Sequence, residues 1–230
     1  MGDLGIATRY THDFVRAQIP QGSRDVLEIG CGDGELAAEL VKDGLAVTAI
    51  DSDEECVAAA LSRGVDARHL AWPSDLDRQF DAVLFTRSLH HVSDLNASVT
   101  AAQQALRPGG RLMVEDFCAE GASSRSLGWY QGLVRTLWAS GAFVDGFDLD
   151  ERIAAAGPDD DHELHSSDAI EEALHCFSTV ERLDAAYFFR YLQGSFRQVR
   201  TIEEILRYEL TSIELGSIDS FGQRFVASDV

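Results

Sequence analysis

The chain has 230 residues, 45% apolar and 25% charged, a globular composition sized for one α/β domain with an insertion. Its 39 acidic residues against 19 basic give a formal net charge of −20 with no local Lys/Arg cluster, which disfavours nucleic acid as a partner. The start, MGDLGIATRY, has neither the basic nor the apolar region of a signal peptide, no apolar run is long enough to span a bilayer, and Cys31, Cys56, Cys118 and Cys176 are too dispersed for a metal cage or disulfide framework. These features lead to the expectation of a soluble, cytoplasmic protein with free thiols and no membrane partner.

In chain order, residues 1–23 read as an N-terminal helical cap, and DVLEI at 25–29 as a buried strand. Glycines then separate this strand from an amphipathic helix at 35–43. LAVTAID at 45–51 is a second strand, EECVAAALSRG a second helix, VDARHLA a third strand, and FDAVLF at 80–85 a fourth. A helix entered near Ser93 or Asp94 stops at the Pro-Gly-Gly of 108–110, and a fifth strand follows. This alternation demands parallel pairing with right-handed crossovers. Residues 118–166 change character: a helical stretch, SLGWYQGLVRTLWASGAF, and the acidic GPDDDHELHSS read as an insertion. The remainder, 167–230, supplies a helix capped by Ser167 or Asp168, a strand over 179–192, a helix over 201–215 and a last strand at 221–227. The whole chain is thus read as a single domain with its core at 24–117.

In VLEIGCGDG the glycines permit close approach of backbone to a ligand, and the following helix N-terminus favours an anionic group. Asp51 lies 21 positions after Gly30, at the end of the second strand, where a carboxylate accepts from ribose hydroxyls. A dinucleotide fingerprint needs glycine at position 35, where this chain has Glu35, so a nicotinamide or flavin dinucleotide is disfavoured.

The pattern formed by Glu28, Gly30, Gly32 and Gly34, followed in order by VTAIDSD, FDAVLFTRSLHHVSD and ALRPGGRLMVED, closely resembles class I S-adenosylmethionine-dependent methyltransferases over about residues 24–117. The resemblance implies a Rossmann-like doubly wound sheet, mostly parallel with an antiparallel last strand, carrying a helical lid insertion, and S-adenosyl-L-methionine as cofactor. It further implies that Gly30, Cys31 and Gly32 cradle the methionine moiety, that Glu28 orients the loop from behind, that Asp51 binds the ribose, and that Ser52 and Asp53 flank the adenosine. Thr86 and Arg87 would border the methionine end, and Tyr10 would close over the cofactor. After the third strand the chain has Leu70, Ala71 and Trp72 where the family often has an acid, so adenine recognition there is expected to be apolar or through backbone.

Methyl transfer asks the protein mainly to align reactants and exclude water. His90 and His91 follow the fourth strand and are the candidate catalytic bases, imidazole being the side chain suited to proton transfer near neutrality. Asp116, Trp129, Tyr130 and His165 are candidate substrate contacts, with Glu115 able to reach the same opening; Trp138, Phe143 and Phe147 extend the aromatic surface of the lid. His162 and His165 beside Asp159–Asp161 and Glu163 are too loosely spaced to make a metal site the expectation. The residues TRSL after the fourth strand lack the motif of the nucleobase-methylating branches. A small-molecule acceptor is therefore expected, with O-methylation slightly favoured and a homodimer possible through the aromatic surface. The alternative is a cofactor-binding scaffold without methyl transfer, either a non-methylating enzyme or an interaction module; a nicotinamide oxidoreductase stands third.

Overall fold

A computed structural model describes residues 5–117, 121–156, 165–198 and 200–229. The helices are α1 (Ile6–Gln18), α2 (Glu35–Lys42), α3 (Glu54–Ser62), α4 (Leu95–Ala105), α5 (Ser124–Ala139), α6 (Leu149–Ala154), α7 (Ser167–Leu174) and α8 (Arg200–Glu214). The strands are β1 (Asp25–Ile29), β2 (Ala46–Asp51), β3 (Asp66–His69), β4 (Phe80–Thr86), β5 (Leu106–Phe117), β6 (Thr179–Ala185) and β7 (Gly222–Ser228). They form one seven-stranded sheet in the order β3-β2-β1-β4-β5-β7-β6, parallel from β3 through β5 and with the last strand antiparallel. The strand order reverses between β1 and β4, the position where open α/β sheets bind ligands beyond their carboxyl ends.

Two compact units make up the chain. One comprises residues 1–7, 117–162 and 184–223; the other comprises 8–116, 163–183 and 224–230. In the second unit, successive strand residues alternate between two apolar clusters. Val26, Val47, Ala49, Ala82, Leu84 and Met113 pack with Phe14 and Val15 of α1, Leu36 and Leu40 of α2, and Val57 and Ala60 of α3. Leu27, Ile29, Ile50, Val83, Phe85 and Val114 pack with Leu95 and Val99 of α4 and Ile170 and Leu174 of α7. This two-sided covering explains why the strands read as nearly continuous apolar runs.

The first unit is organised around aromatic side chains. Tyr130 of α5 is fully buried and stacks on Phe188 at 5.0 Å, while Phe188 in turn stacks on Phe221 at 5.1 Å. Glu209 of α8 is also fully buried. Its carboxylate accepts the backbone N–H groups of Tyr187 (2.6 Å), Phe188 (2.9 Å) and Phe189 (2.9 Å), which open the 3-10 turn over Phe188–Leu192. A side chain thereby supplies the acceptors that a helix start lacks.

Several local expectations change. The Pro-Gly-Gly of 108–110 does not stop α4; the helix ends at Ala105 and these residues sit within β5. The register against β4 shifts between Phe80 and Ala82, where Leu106 and Arg111 are their partners, so β5 carries three more residues than β4 across this stretch and bulges from the ladder. Gly110 suits this crowding, because a Cβ there would lie 3.0 Å from the carbonyl oxygen of Asp81. Helix α7 is capped by Ser166, whose side chain accepts from Ala169 N–H, one residue before the expected cap. The strand expected over 179–192 ends at Ala185 and gives way to the Glu209-held turn.

Candidate cofactor site

The glycine loop leaves β1 at the reversal point. Gly30, Gly32 and Gly34 all have positive φ, at 71°, 54° and 74°, but for different reasons. A Cβ on Gly30 would lie 2.5 Å from Cβ of Ser88, and one on Gly34 would lie 2.6 Å from Cβ of Ala60 on α3. Those two glycines let β4's continuation and α3 pack closely. At Gly32 a Cβ would meet nothing within 4 Å, so its open side is a bare backbone surface. The N–H groups of Gly30 and Cys31 both donate to Ile50 O, at 2.9 and 3.1 Å, fastening the loop to β2.

Two cavities adjoin this loop and share Gly30, Gly32 and Arg87 in their walls. The larger, about 450 Å³, is lined by Asp51 and Ser52 on one side and by Ile50, Leu70, Ala71, Trp72 and Val92 as an apolar slot. Asp51 Oδ2 accepts from Gly32 N–H at 2.8 Å and Oδ1 from Asp53 N–H at 2.9 Å. Each oxygen keeps a second acceptor direction, the arrangement two vicinal hydroxyls require. Asp53 serves as N-cap of α3, its side chain accepting from Glu55 N–H at 2.8 Å, so it shapes the site through the helix start. His69 braces the same wall through Nε2 and Ser52 O at 3.0 Å, and Trp72 is fixed by Nε1–H donating to Ser98 O at 3.1 Å.

The smaller cavity, about 230 Å³, is lined by Glu28, Cys31, Thr86 and Arg87 and by Thr8 and Thr11 of α1. Glu28 is buried; Thr86 Oγ1 donates to its Oε1 at 3.2 Å, whereas Oε2 has no hydrogen-bond partner. Burial pushes its carboxyl up to about 7, against the hydrogen bond from Thr86 and the charge of Arg87, which lower it. Burial likewise pushes the Cys31 thiol up to about 12, helped by the charges of Glu28 and Asp51, so it is no nucleophile at neutral pH.

Arg87 adopts a left-handed conformation, φ 61°, the one non-glycine residue with positive φ among those described. Its N–H donates to Glu115 O at 2.7 Å and its Nη1 lies 3.3 Å from Glu115 Oε1. Glu115, 2% exposed, also accepts from Thr11 Oγ1 at 2.6 Å and from Arg224 Nε at 2.7 Å. Arg224 lies over the ring of Tyr10, 4.0 Å from its centroid, and donates to Tyr10 O at 3.0 Å. Tyr10 lines neither cavity; it anchors α1 to β5 and β7 through this charged knot, and α1 reaches the smaller cavity through Thr8 and Thr11 instead.

The two histidines separate. His90 is buried, its Nδ1 2.6 Å from Asp116 Oδ1 and its backbone N–H donating to Asp116 Oδ2 at 3.3 Å. His91 is exposed, lines the larger cavity and stands ring to ring with His90 at 4.0 Å. Asp116 is thereby occupied by His90. His165 Nε2 lies 2.7 Å from Val92 O, behind a residue of the larger cavity. Trp129 and Tyr130 belong to the aromatic cluster of the first unit, with Trp129 Nε1 buried and unpartnered and Tyr130 Oη donating to Arg152 O at 3.1 Å. His162, Asp159–Asp161 and Glu163 lie outside the described residues. Among the described residues no cluster of three or more His, Cys, Asp or Glu is placed to hold a metal ion, and no helix is long and apolar enough to cross a membrane.

A family model described as a methyltransferase domain matches residues 7–163. The chain belongs to the class I S-adenosylmethionine-dependent methyltransferases. This methyltransferase is 38% identical over 111 residues to a ubiquinone biosynthesis O-methyltransferase of Xylella fastidiosa, a match covering 44% of this chain and 45% of that one. The chain spans about half the length of the curated relatives it matches. Among solved structures, a Thermotoga maritima methyltransferase described as a possible histamine N-methyltransferase aligns with a TM-score of 0.57 at 14% identity, over 97% of this chain and 89% of that one. The [4+2]-cyclase SpnF also gives 0.57, at 19% identity over 97% and 82%. These likenesses establish the fold.

The family's cofactor, S-adenosyl-L-methionine, fits the residues present. The bare surface at Gly32 admits it without steric conflict, the unpartnered Glu28 Oε2 suits an ammonium group, and Asp51 suits a ribose. Sequence reasoning missed Thr8, Thr11, Ser88, Val92 and Ser93 as cavity walls, because common polar and apolar residue types carry no motif. The one available signal was Ser88, a small residue two positions after Thr86, opposite a glycine that needs the space.

Proposed function

We propose that this methyltransferase transfers a methyl group to a small-molecule acceptor, with oxygen the slightly favoured atom. The observation that carries the reading is the pair of cavities meeting at Gly32, with Asp51 in the wall of one and the unpartnered Glu28 oxygen in the wall of the other. In this reading Asp51 holds the ribose hydroxyls, Leu70, Ala71, Trp72 and Val92 enclose the adenine, and Glu28 and Arg87 receive the ammonium and carboxylate of the amino-acid end. When bound, the cofactor supplies a sulfonium-activated methyl group for in-line displacement. His91, on the cavity wall, accepts the acceptor's proton. His90 and Asp116 hold the turn that presents it: with Nδ1–H donating to Asp116, His90 is fixed in one tautomer and its ring backs that of His91. A substrate contact by His165, whose ring backs Val92 of the larger cavity, forms part of this proposal; Asp116, both of whose oxygens are held by His90, and the fully buried Tyr130 do not.

The net charge of −20 supports a small acceptor over nucleic acid, and the likeness to an O-methyltransferase over 111 residues supports oxygen. The test is incubation with isotopically labelled cofactor and a metabolite extract, followed by mass spectrometry of the compounds that gain the label. A labelled phenol, alcohol or carboxylic acid supports the proposal. Saturable cofactor binding with no labelled product across extracts and acceptor panels defeats it.

A further inference from the structure

The larger cavity has walls for a flat ring but little with which to read that ring's edge. The 6-amino group of a purine carries two N–H donors, and a site that recognises it must present an acceptor. Among the described residues lining this cavity, Asp51 is the one carboxylate, and it is committed to Gly32 N–H, Asp53 N–H and, in the reading above, the ribose. The slot is formed by Ile50, Leu70, Ala71, Trp72 and Val92, whose one polar side-chain atom is the indole nitrogen of Trp72. That N–H donates to Ser98 O at 3.1 Å, and an indole has no acceptor to offer. The backbone of the slot is largely engaged as well. Ala71 O accepts from Ser74 Oγ, Val92 O lies 2.7 Å from His165 Nε2, and Ile50 O accepts from both Gly30 and Cys31 N–H. Leu70 N–H donates to Asp51 O at 2.9 Å. Ser52 and Ser93 contribute hydroxyls, which are neutral and turn to donate or accept alike.

We propose that the larger cavity selects a purine ring by apolar enclosure and is indifferent to its 6-amino group, so that cofactor analogues lacking that group are accepted. This rests on the cofactor reading given above. A pocket with a committed acceptor rejects a ligand that leaves the acceptor unpaired, whereas an apolar pocket discriminates weakly against a change of one polar group. Here no protein group is stranded when the amino group is missing. An amino group that enters the slot sheds its water without compensation, and one that stays in solvent contributes nothing. Either way the ring without it binds at least as well. Trp72 is the specificity-determining residue: tied to Ser98 O and edge-on to Phe85 at 6.3 Å, it gives the slot a fixed aromatic wall for the ring.

The experiment is calorimetric titration of the full chain with two probes. One is S-adenosylhomocysteine; the other is its analogue with hydrogen in place of the 6-amino group, which keeps the ring nitrogens, the ribose and the amino-acid end. The expected result is that the analogue binds as tightly as S-adenosylhomocysteine or at most about threefold more weakly. In Trp72→Ala both probes weaken at least about fivefold, by factors that agree within about twofold. An analogue that binds more weakly than this to the wild type reveals an acceptor for the amino group, which overturns the inference and leaves the cofactor reading intact. Unchanged affinity of both probes in a folded Trp72→Ala variant overturns it too. Failure of both probes to bind the wild type overturns both readings. The wild-type comparison decides the matter even if Trp72→Ala does not fold.

Discussion

Gly34→Ala and Gly32→Ala should fail in opposite ways, although both replace a left-handed glycine in one loop with the same methyl group. At Gly34 the added Cβ would sit 2.6 Å from Ala60 Cβ and 2.9 Å from Ala60 Cα. The second of these is helix backbone that cannot swing aside. Left-handed strain of about 1–2 kcal/mol adds to overpacking of about 1–3 kcal/mol, giving a loss of roughly 2–5 kcal/mol in folding stability. At Gly32 the Cβ meets no protein atom within 4 Å, so only the strain remains, about 1–2 kcal/mol. That methyl group stands on a surface lining both cavities, where the cofactor backbone would run. Gly32→Ala should therefore fold with a modest loss of stability and bind S-adenosylhomocysteine at least about tenfold more weakly. Denaturant titration reads the first effect and calorimetry the second. Wild-type affinity in a folded Gly32→Ala variant would refute the assignment of that surface to the cofactor, and wild-type stability in Gly34→Ala would refute the packing argument.

Three further outcomes are expected. Asp51→Ala should weaken S-adenosylhomocysteine binding by roughly 1–3 kcal/mol, the loss from leaving ribose hydroxyls unmatched, as read by calorimetry; unchanged affinity would contradict the ribose assignment. Glu115→Ala strands Arg224, 8% exposed, beside Arg87, and should destabilise the fold by about 3–5 kcal/mol in denaturant titration. Without ligand, the stability associated with Glu28 should be fully present below its ordinary value of 4.5 and lost as pH rises through about 7, a change of about 3 kcal/mol. Glu209, whose carboxyl burial also raises to about 7, adds a slope of the same sign. The Glu28 share is thus the difference in pH dependence between the wild type and Glu28→Gln, and identical curves would refute it.

The half of the fold built from local periodicity was readable in the chain. From Asp25 to His69 apolar runs, glycine breaks and helices succeed one another, and β4 with α4 repeats the strand-helix pattern without a glycine, so those signals are contained within a few residues of one another. Asp51 was readable because its distance from Gly30 reflects one such step. The errors fell where long-range pairing overrides local signals. Pro-Gly-Gly reads as a terminator, but β4 supplies a ladder that accepts it as a bulge. The apolar stretch at 186–192 reads as a continuing strand, but Glu209, 20 to 22 residues away, offers its N–H groups another acceptor. The charged knot around Glu115 joins Thr11, Arg87 and Arg224 across up to 109 residues, and no spacing rule announces it. The division of labour between His90 and His91 was equally hidden, since it depends on which ring Asp116 holds.

The central claim is that the cavities on either side of Gly32 together hold one S-adenosyl cofactor. A crystal structure of the full chain with S-adenosylhomocysteine tests it most directly. The ribose should lie against Asp51, the adenine between Leu70–Trp72 and Val92, and the amino group within hydrogen-bond distance of Glu28 Oε2. A ligand bound away from the glycine loop, or one lying there with its amino group turned from Glu28, would contradict the account.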